Sequence, residues 1–258
     1  MFLFAPPLRK HVTEPNWNTY NTMKIKHILF VLAFFAITGW SWGPLSFIFA
    51  PSATIPRGTE EWVNKQIYII NSQANNIDPK VLKMSLAAYV RARQHGLDNK
   101  QLLTIIDYSK PSTQRRLWVV DLKKERVLFN TWVTHGKNSG DIQATSFSNE
   151  PGSLKSSLGV FLTIGEPYVG SNGYSLRLLG LERGINDNAY RRDIVVHGAW
   201  YANHNVVQRY RQLGRSWGCP AVSEDTVRPL INTIRDKTLV FVYYPDRHWI
   251  NNSAFLTG

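Results

Sequence analysis

Cysteine is nearly missing from this chain: Cys219 is the only one in 258 residues, so no intrachain disulfide can form. Multi-cysteine zinc sites are excluded with it, and neither an H-E-x-x-H nor a C-x-x-C spacing occurs. There is no P-loop and no dinucleotide fingerprint, so no cofactor and no metal is implied. Acidic residues are few, 18 Asp and Glu against 30 Lys and Arg, which leaves a net charge of +12. Such a balance favours anionic partners: nucleic acid, a membrane surface or acidic polymers. Internal repeats and low-complexity tracts are absent too.

What is present is core-forming material. Hydrophobic residues make up 43% and aromatic residues 12%, with nine tryptophans, which excludes a disordered chain. One long apolar run stands out, ILFVLAFFAITGW at 28–40, behind MKIKH with Lys24 and Lys26. This reads as a secretory signal, with Met23 as the start of translation. Apolar character continues to Ala50, and Pro51 disfavours cleavage there. An uncleaved anchor associating with the inner membrane through 28–50 is therefore the alternative, and a buried core helix is a third. The export reading places the chain in the periplasm or cell envelope, away from nucleic acid.

Residues 1–50 are thus read as extension plus signal or anchor. A linker, PSATIPRG, begins at 51. Helical signals follow over 60–75, over 81–96 behind Asp78-Pro79, and over 98–109 with Asp98 or Asn99 as cap. Together they predict a small helical module ending near 110. From 111 to 250 the texture turns to short β runs at 116–122, 126–136, 159–166, 174–182, 192–200 and 238–245. A late helix is predicted at 223–237, with Ser223 as its cap.

Two stretches carry the chemistry. DIVVHGAW puts His197 and Gly198 at the end of a strand, and GRSWGCPAVS puts Cys219 in a glycine-lined turn. A lone cysteine can be a small buried hydrophobe. Beside an imidazole it is the nucleophile of thiol chemistry, with histidine taking its proton. Gly218 lets backbone N–H groups approach a developing oxyanion. Ser216 orients His197 or holds the loop, and Trp217 lines a cleft or enters the core. His135, in THG, reads as surface at a hairpin end, with contact to the site as the other reading. Asn203 and His204 lie between the two stretches. Glu224 and Asp225 suit a helix N-terminus better than acid catalysis.

Taken together, THGKNSG (134–140), FSNEPGSLKSSLGVF (147–161), the segment 173–201 and GRSWGCPAVS (214–223) resemble the murein L,D-transpeptidase catalytic domain family, a divergent branch of the YkuD-type L,D-transpeptidases. The resemblance covers about 111–245. It implies a mostly β, YkuD-like catalytic fold. It implies Cys219 as nucleophile, His197 as general base and acid, and the N–H groups of Gly218 and Cys219 as the oxyanion site. The implied substrates are peptidoglycan stem peptides, cut at an L,D bond and joined to a second stem. Transfer to water, as a carboxypeptidase or endopeptidase, and non-catalytic peptidoglycan binding are the alternatives. Trp217 and Ala221 depart from the main family, which has histidine before Gly-Cys and arginine or asparagine two residues after. Arg192 is a candidate for the lost positive charge facing a stem carboxylate; a solvated strand-end charge is the other reading.

Overall fold

Thr59 and Asp78 each open a helix by capping it. The Thr59 hydroxyl accepts from the Trp62 amide, and α1 runs Glu60–Gln73. Asp78 accepts from the Lys80 amide ahead of Pro79, and α2 runs Pro79–Gln94. A computed structural model describes residues 55–74 and 76–257. The apolar run at 28–50, Met23 and the remainder of 1–50 lie outside the described residues. Among the described residues no helix is long and apolar enough to cross a membrane.

The third expected helix, at 98–109, is not formed. Leu102–Asp107 is instead strand β1, with every residue buried. A short unbroken apolar run has no period that separates a buried strand from a buried helix. Here the β-branched Thr104, Ile105 and Ile106 suit the pleated sheet. Asp98 caps no helix: its carboxylate accepts from the Lys100 and Gln101 amides and pairs with Arg93 at 3.2 Å, turning the chain into the strand.

Strands β2 (Leu117–Asp121), β3 (Arg126–Thr131), β4 (Gly159–Gly170), β5 (Gly173–Gly180), β6 (Val195–Gly198), β7 (Ala221–Val222) and β8 (Leu239–Tyr243) complete one sheet. Its order is β3-β2-β1-β8-β4-β5-β6-β7. The pairs β1/β8 and β6/β7 are parallel, and the others are antiparallel. Helix α3 (His204–Tyr210) lies between β6 and β7, α4 (Glu224–Ile234) follows β7, and α5 (Arg247–Asn252) follows β8. The chain is mostly β with a late helix, preceded by a small helical module, as the sequence predicts. Neither α3, α5 nor the two-residue β7 was legible as an element.

Helix α1 packs on β3, α2 on β1 and β8, and α4 on β5 and β6. One continuous core joins Leu82 and Leu86 of α2 to Ile105, Trp118, Phe161 and Phe241 of the sheet. Glu182 is a polar hub within it. Its Oε2 accepts from the Val160 amide at 2.7 Å and from Trp249 Nε1 at 3.2 Å, and its Oε1 accepts from Ser253 Oγ. The C-terminal helix is thereby tied to the start of β4. Arg91 of α2 also donates to the carbonyls of Ala254 and Thr257.

Removing the Glu182 carboxylate orphans those buried donors, each costing about 1–3 kcal/mol. Glu182→Ala is expected to cost about 3 kcal/mol and to lower Tm by roughly 6–12 °C in a domain of this size. A melting curve within a degree or two of the wild-type chain would show that the hub contributes nothing.

Candidate active site

Strand β6 ends between two partners. On one side β5 sets Arg177 opposite Val195 and Ser175 opposite His197. On the other, β7 sets Ala221 opposite His197 and Val222 opposite Gly198 in parallel register. Strand β7 begins two residues after Cys219, so the cysteine turn and the histidine strand end are brought side by side. Gly198 is required there by packing: a Cβ would meet Val227 Cγ1 of α4 at 2.8 Å. A cavity of about 430 Å³ opens at this end, lined by His197, Gly198, Tyr174, Trp200, Tyr201 and Glu224 among others.

The imidazole is oriented by its own strand. His197 Nδ1 lies 2.9 Å from the Gly198 carbonyl, which can only accept, so Nδ1 carries the proton. That leaves Nε2 with a free lone pair. Burial pushes the His197 pKa down, against the raising effect of the Gly198 carbonyl, so the ring is neutral at pH 7.

Cys219 is buried and free. Its sulfur accepts from the Val195 amide at 3.5 Å and donates to the Asp193 carbonyl at 3.6 Å. The thiol and the imidazole share no hydrogen bond here. Burial raises the thiol pKa; the Val195 N–H and the Arg192 charge lower it, and Asp193 raises it. In this state the group is a thiol, with a backbone N–H and a guanidinium placed to favour the thiolate.

Two serine hydroxyls fix the turn. Ser216 Oγ accepts from the Gly218 amide (3.1 Å) and donates to the Cys219 carbonyl (2.6 Å). Ser156 Oγ accepts from the Gly136 amide (3.0 Å) and donates to the Gly218 carbonyl (3.1 Å). Gly218 has φ +123°, and a Cβ there would meet the Lys155 carbonyl at 2.7 Å, so only glycine fits. The expected oxyanion pair is changed in one member: the Gly218 N–H is already bound to Ser216. The Cys219 amide makes no hydrogen bond among the described residues.

Arg192 reaches the same turn from β6's approach. Its Nη1 donates to the Ser148 carbonyl (2.6 Å) and Ser157 Oγ, and its Nη2 to Ser153 Oγ (3.2 Å) and the Lys155 carbonyl (2.6 Å). Both terminal nitrogens are thus spent on the segment 148–157, and the guanidinium orients that loop. Trp217 is 78% exposed and belongs to no core. His204 stacks on Trp132 with centroids 4.4 Å apart. Asn203 caps α3 by accepting from the Asn205 amide. Among the described residues no group of three or more His, Cys, Asp or Glu is placed to hold a metal ion.

A family model for the L,D-transpeptidase catalytic domain (YkuD_2) matches residues 73–243. This chain belongs to that family. No curated protein matches it. Among solved structures it is similar to the L,D-transpeptidase from Mycobacterium smegmatis, with 16% identity over 56% of this chain and 59% of that one and a TM-score of 0.33. L,D-transpeptidase 1 of Mycobacterium tuberculosis is similar at 14% identity, over 55% of this chain and 60% of that one, TM-score 0.28. The L,D-transpeptidase (Yku) of Stackebrandtia nassauensis matches at 12% identity, over 70% and 77%, TM-score 0.31. The chain therefore spans about 59% of the length of the mycobacterial structure from M. smegmatis. Membership rests on the family model, and with it the mixed sheet is a YkuD-like L,D-transpeptidase fold.

In this L,D-transpeptidase domain a second histidine lies behind the cysteine turn. His135 was expected on the surface and is fully buried. Arg116, also fully buried, donates from Nη2 to His135 Nδ1 at 2.8 Å; His135 Nε2 donates to the Gly140 carbonyl at 3.2 Å. The remaining Arg116 bonds run to the carbonyls of Val133 and Lys110. The backbone around His135 then grips the turn, because Ser216 N donates to the His135 carbonyl and Lys137 N to the Ser216 carbonyl. Nothing in the sequence joins Arg116 to Ser216; only the fold does.

Burial first, and Arg116 next, push the His135 pKa down to about 4. The unfolded chain holds that proton up to the ordinary value of 6.5. Between the two values the unfolded state binds more protons, so stability present above pH 6.5 is lost as pH falls towards 4. His197, also lowered by burial, adds in the same direction. The His135 contribution is on the order of 3 kcal/mol. Denaturant melts at pH 7 and pH 5 should show a shallower loss for His135→Gln than for the wild-type chain. Equal losses would mean that the acid sensitivity arises elsewhere.

Proposed function

We propose that this chain is a cysteine acyltransferase of the cell envelope that cross-links peptidoglycan stem peptides. The observation that carries the reading is the Cys219 turn seated beside a neutral His197 with Nε2 unprotonated, in a member of the L,D-transpeptidase family. Cys219 leaves the Asp193 carbonyl and gives its proton to His197 Nε2. The Val195 N–H and Arg192 stabilise the thiolate as it forms. The sulfur then attacks the carbonyl between the diamino acid and the terminal D-alanine of a tetrapeptide stem. The oxyanion is held by the Cys219 N–H, and by the Gly218 N–H once Ser216 releases it.

His197 returns its proton to the departing D-alanine amine, leaving a thioester on Cys219. An amine of a second stem attacks that thioester, His197 accepts its proton, and the thiol is restored with a new amide bond. Water in place of the amine gives a shortened monomer instead. Export and a membrane association through residues 28–50 fit a peptidoglycan substrate and the basic charge of the chain.

The test pairs the full-length chain with Cys219→Ala, each incubated in separate samples with a carbapenem and with disaccharide-tetrapeptides. Intact mass should show one ring-opened adduct on the wild-type chain and none on the variant. Muropeptide analysis should show a cross-linked dimer from the wild-type chain alone. His197→Gln should lower turnover by about 100-fold or more, the usual scale for a lost general base. Turnover unchanged in Cys219→Ala would sink the reading. Binding to sacculi with neither adduct nor product, in both proteins, would instead make this a peptidoglycan-binding protein.

A further inference from the structure

Asp193 touches two things at once. Its carbonyl accepts from the Cys219 thiol at 3.6 Å, and its carboxylate accepts from Arg177 Nη1 at 2.8 Å. Arg177 lies opposite Val195 in the β5/β6 register, and the Val195 amide is the donor to the Cys219 sulfur. Cys219, Val195 and Arg177 therefore form one row across the sheet, with Arg177 two strand spacings, about 10 Å of backbone, from the cysteine.

The guanidinium is held ready. Its carbon lies 5.2 Å from the Tyr168 ring centroid and 5.3 Å from that of Tyr190. Two aromatic faces fix its position while leaving its side chain 35% exposed. Arg192 is bonded to carbonyls and hydroxyls, whereas Arg177 meets a carboxylate, and an open one: the Asp193 side chain is 78% exposed. An ion pair so exposed contributes little to stability, and an incoming carboxylate displaces it at little cost.

We propose that Arg177 is the carboxylate-recognition residue of this site, and that the Asp193 carboxylate bound to it occupies the ligand carboxylate's position. The ligand class is a peptide with a free C-terminal carboxylate one residue beyond the carbonyl presented to Cys219. Asp193 spans that same interval within itself, with its carbonyl at the sulfur and its carboxylate on Arg177. The ligand, though not the geometry, rests on the acyl-transfer reading above. Arginine suits the role because its planar fork binds a carboxylate through two parallel N–H bonds.

The experiment is a calorimetric titration of the full-length chain carrying Cys219→Ala, which binds without turning over. Two probes are used: the tetrapeptide stem with a free C-terminal carboxylate, and its C-terminal amide. The free acid should bind about tenfold tighter than the amide, a single charge-assisted contact's worth of affinity. Arg177→Gln should remove that preference by weakening the acid alone, Arg177→Lys should keep part of it, and Asp193→Asn should tighten the acid alone. Melting curves of each variant confirm that the fold is kept. Equal binding of the two probes, or a preference that survives Arg177→Gln, overturns the inference. Turnover by the chain with Cys219 intact is measured separately, so failure of the acyl-transfer reading is seen as such.

Discussion

One strand amide that meets a sulfur in place of a backbone carbonyl governs the geometry around the cysteine. Val195 points its N–H towards the side where β7 runs, but β7 begins only at Ala221. A buried donor without a partner is costly. The Cys219 sulfur takes that position, two residues before the ladder begins. The demand of the sheet edge for an acceptor is what holds the thiol in place, at the strand that also carries His197. The rest follows from it: Gly218 must turn with positive φ to deliver the sulfur, and Ser216 and Ser156 must hold the two peptides of that turn.

Behind the turn lies a layer in which a buried charge is hydrogen-bonded by neutral groups. The bonds of the buried Arg116 run to backbone carbonyls and to a neutral imidazole, and burial pushes its pKa down to about 10. A guanidinium used in this way is a rigid bracket. It joins the end of the 110–116 connection, the segment just after β3 and, through the His135 backbone, the cysteine turn. The layer is conditional on desolvation staying complete, because its imidazole must remain unprotonated to accept from Arg116.

Much of this was legible in residue types and spacing. Asp78-Pro79 announced a helix, and the β-rich runs at 116–122 and 126–136 announced a pair of strands. The His-Gly pair at a strand end and the Ser-x-Gly-Cys turn were legible as segments, and the sheet sets them side by side. Leu102–Asp107 was misread because burial on both faces erases the period that distinguishes strand from helix. Arg116, His135 and Ser156 were missed for a different reason. Their roles depend on contacts between separate segments, such as Arg116 on His135 and Ser156 on Gly218, and local pattern carries no trace of them. Arg192 was legible as a charge near the site, but its hydrogen-bond partners were not.

The parallel pairing of β1 with β8 has a consequence for synthesis. β1 sits at the middle of the sheet, and one of its two partners is the last strand of the chain. Until Tyr243 has been made, Leu102–Asp107 is an apolar strand with one open edge. Pairing across so much intervening sequence is slow, since loop closure must precede any gain from contact. The nascent chain therefore passes through a period in which an apolar-rich strand is available to other chains, and the yield of folded protein depends on how that edge is shielded.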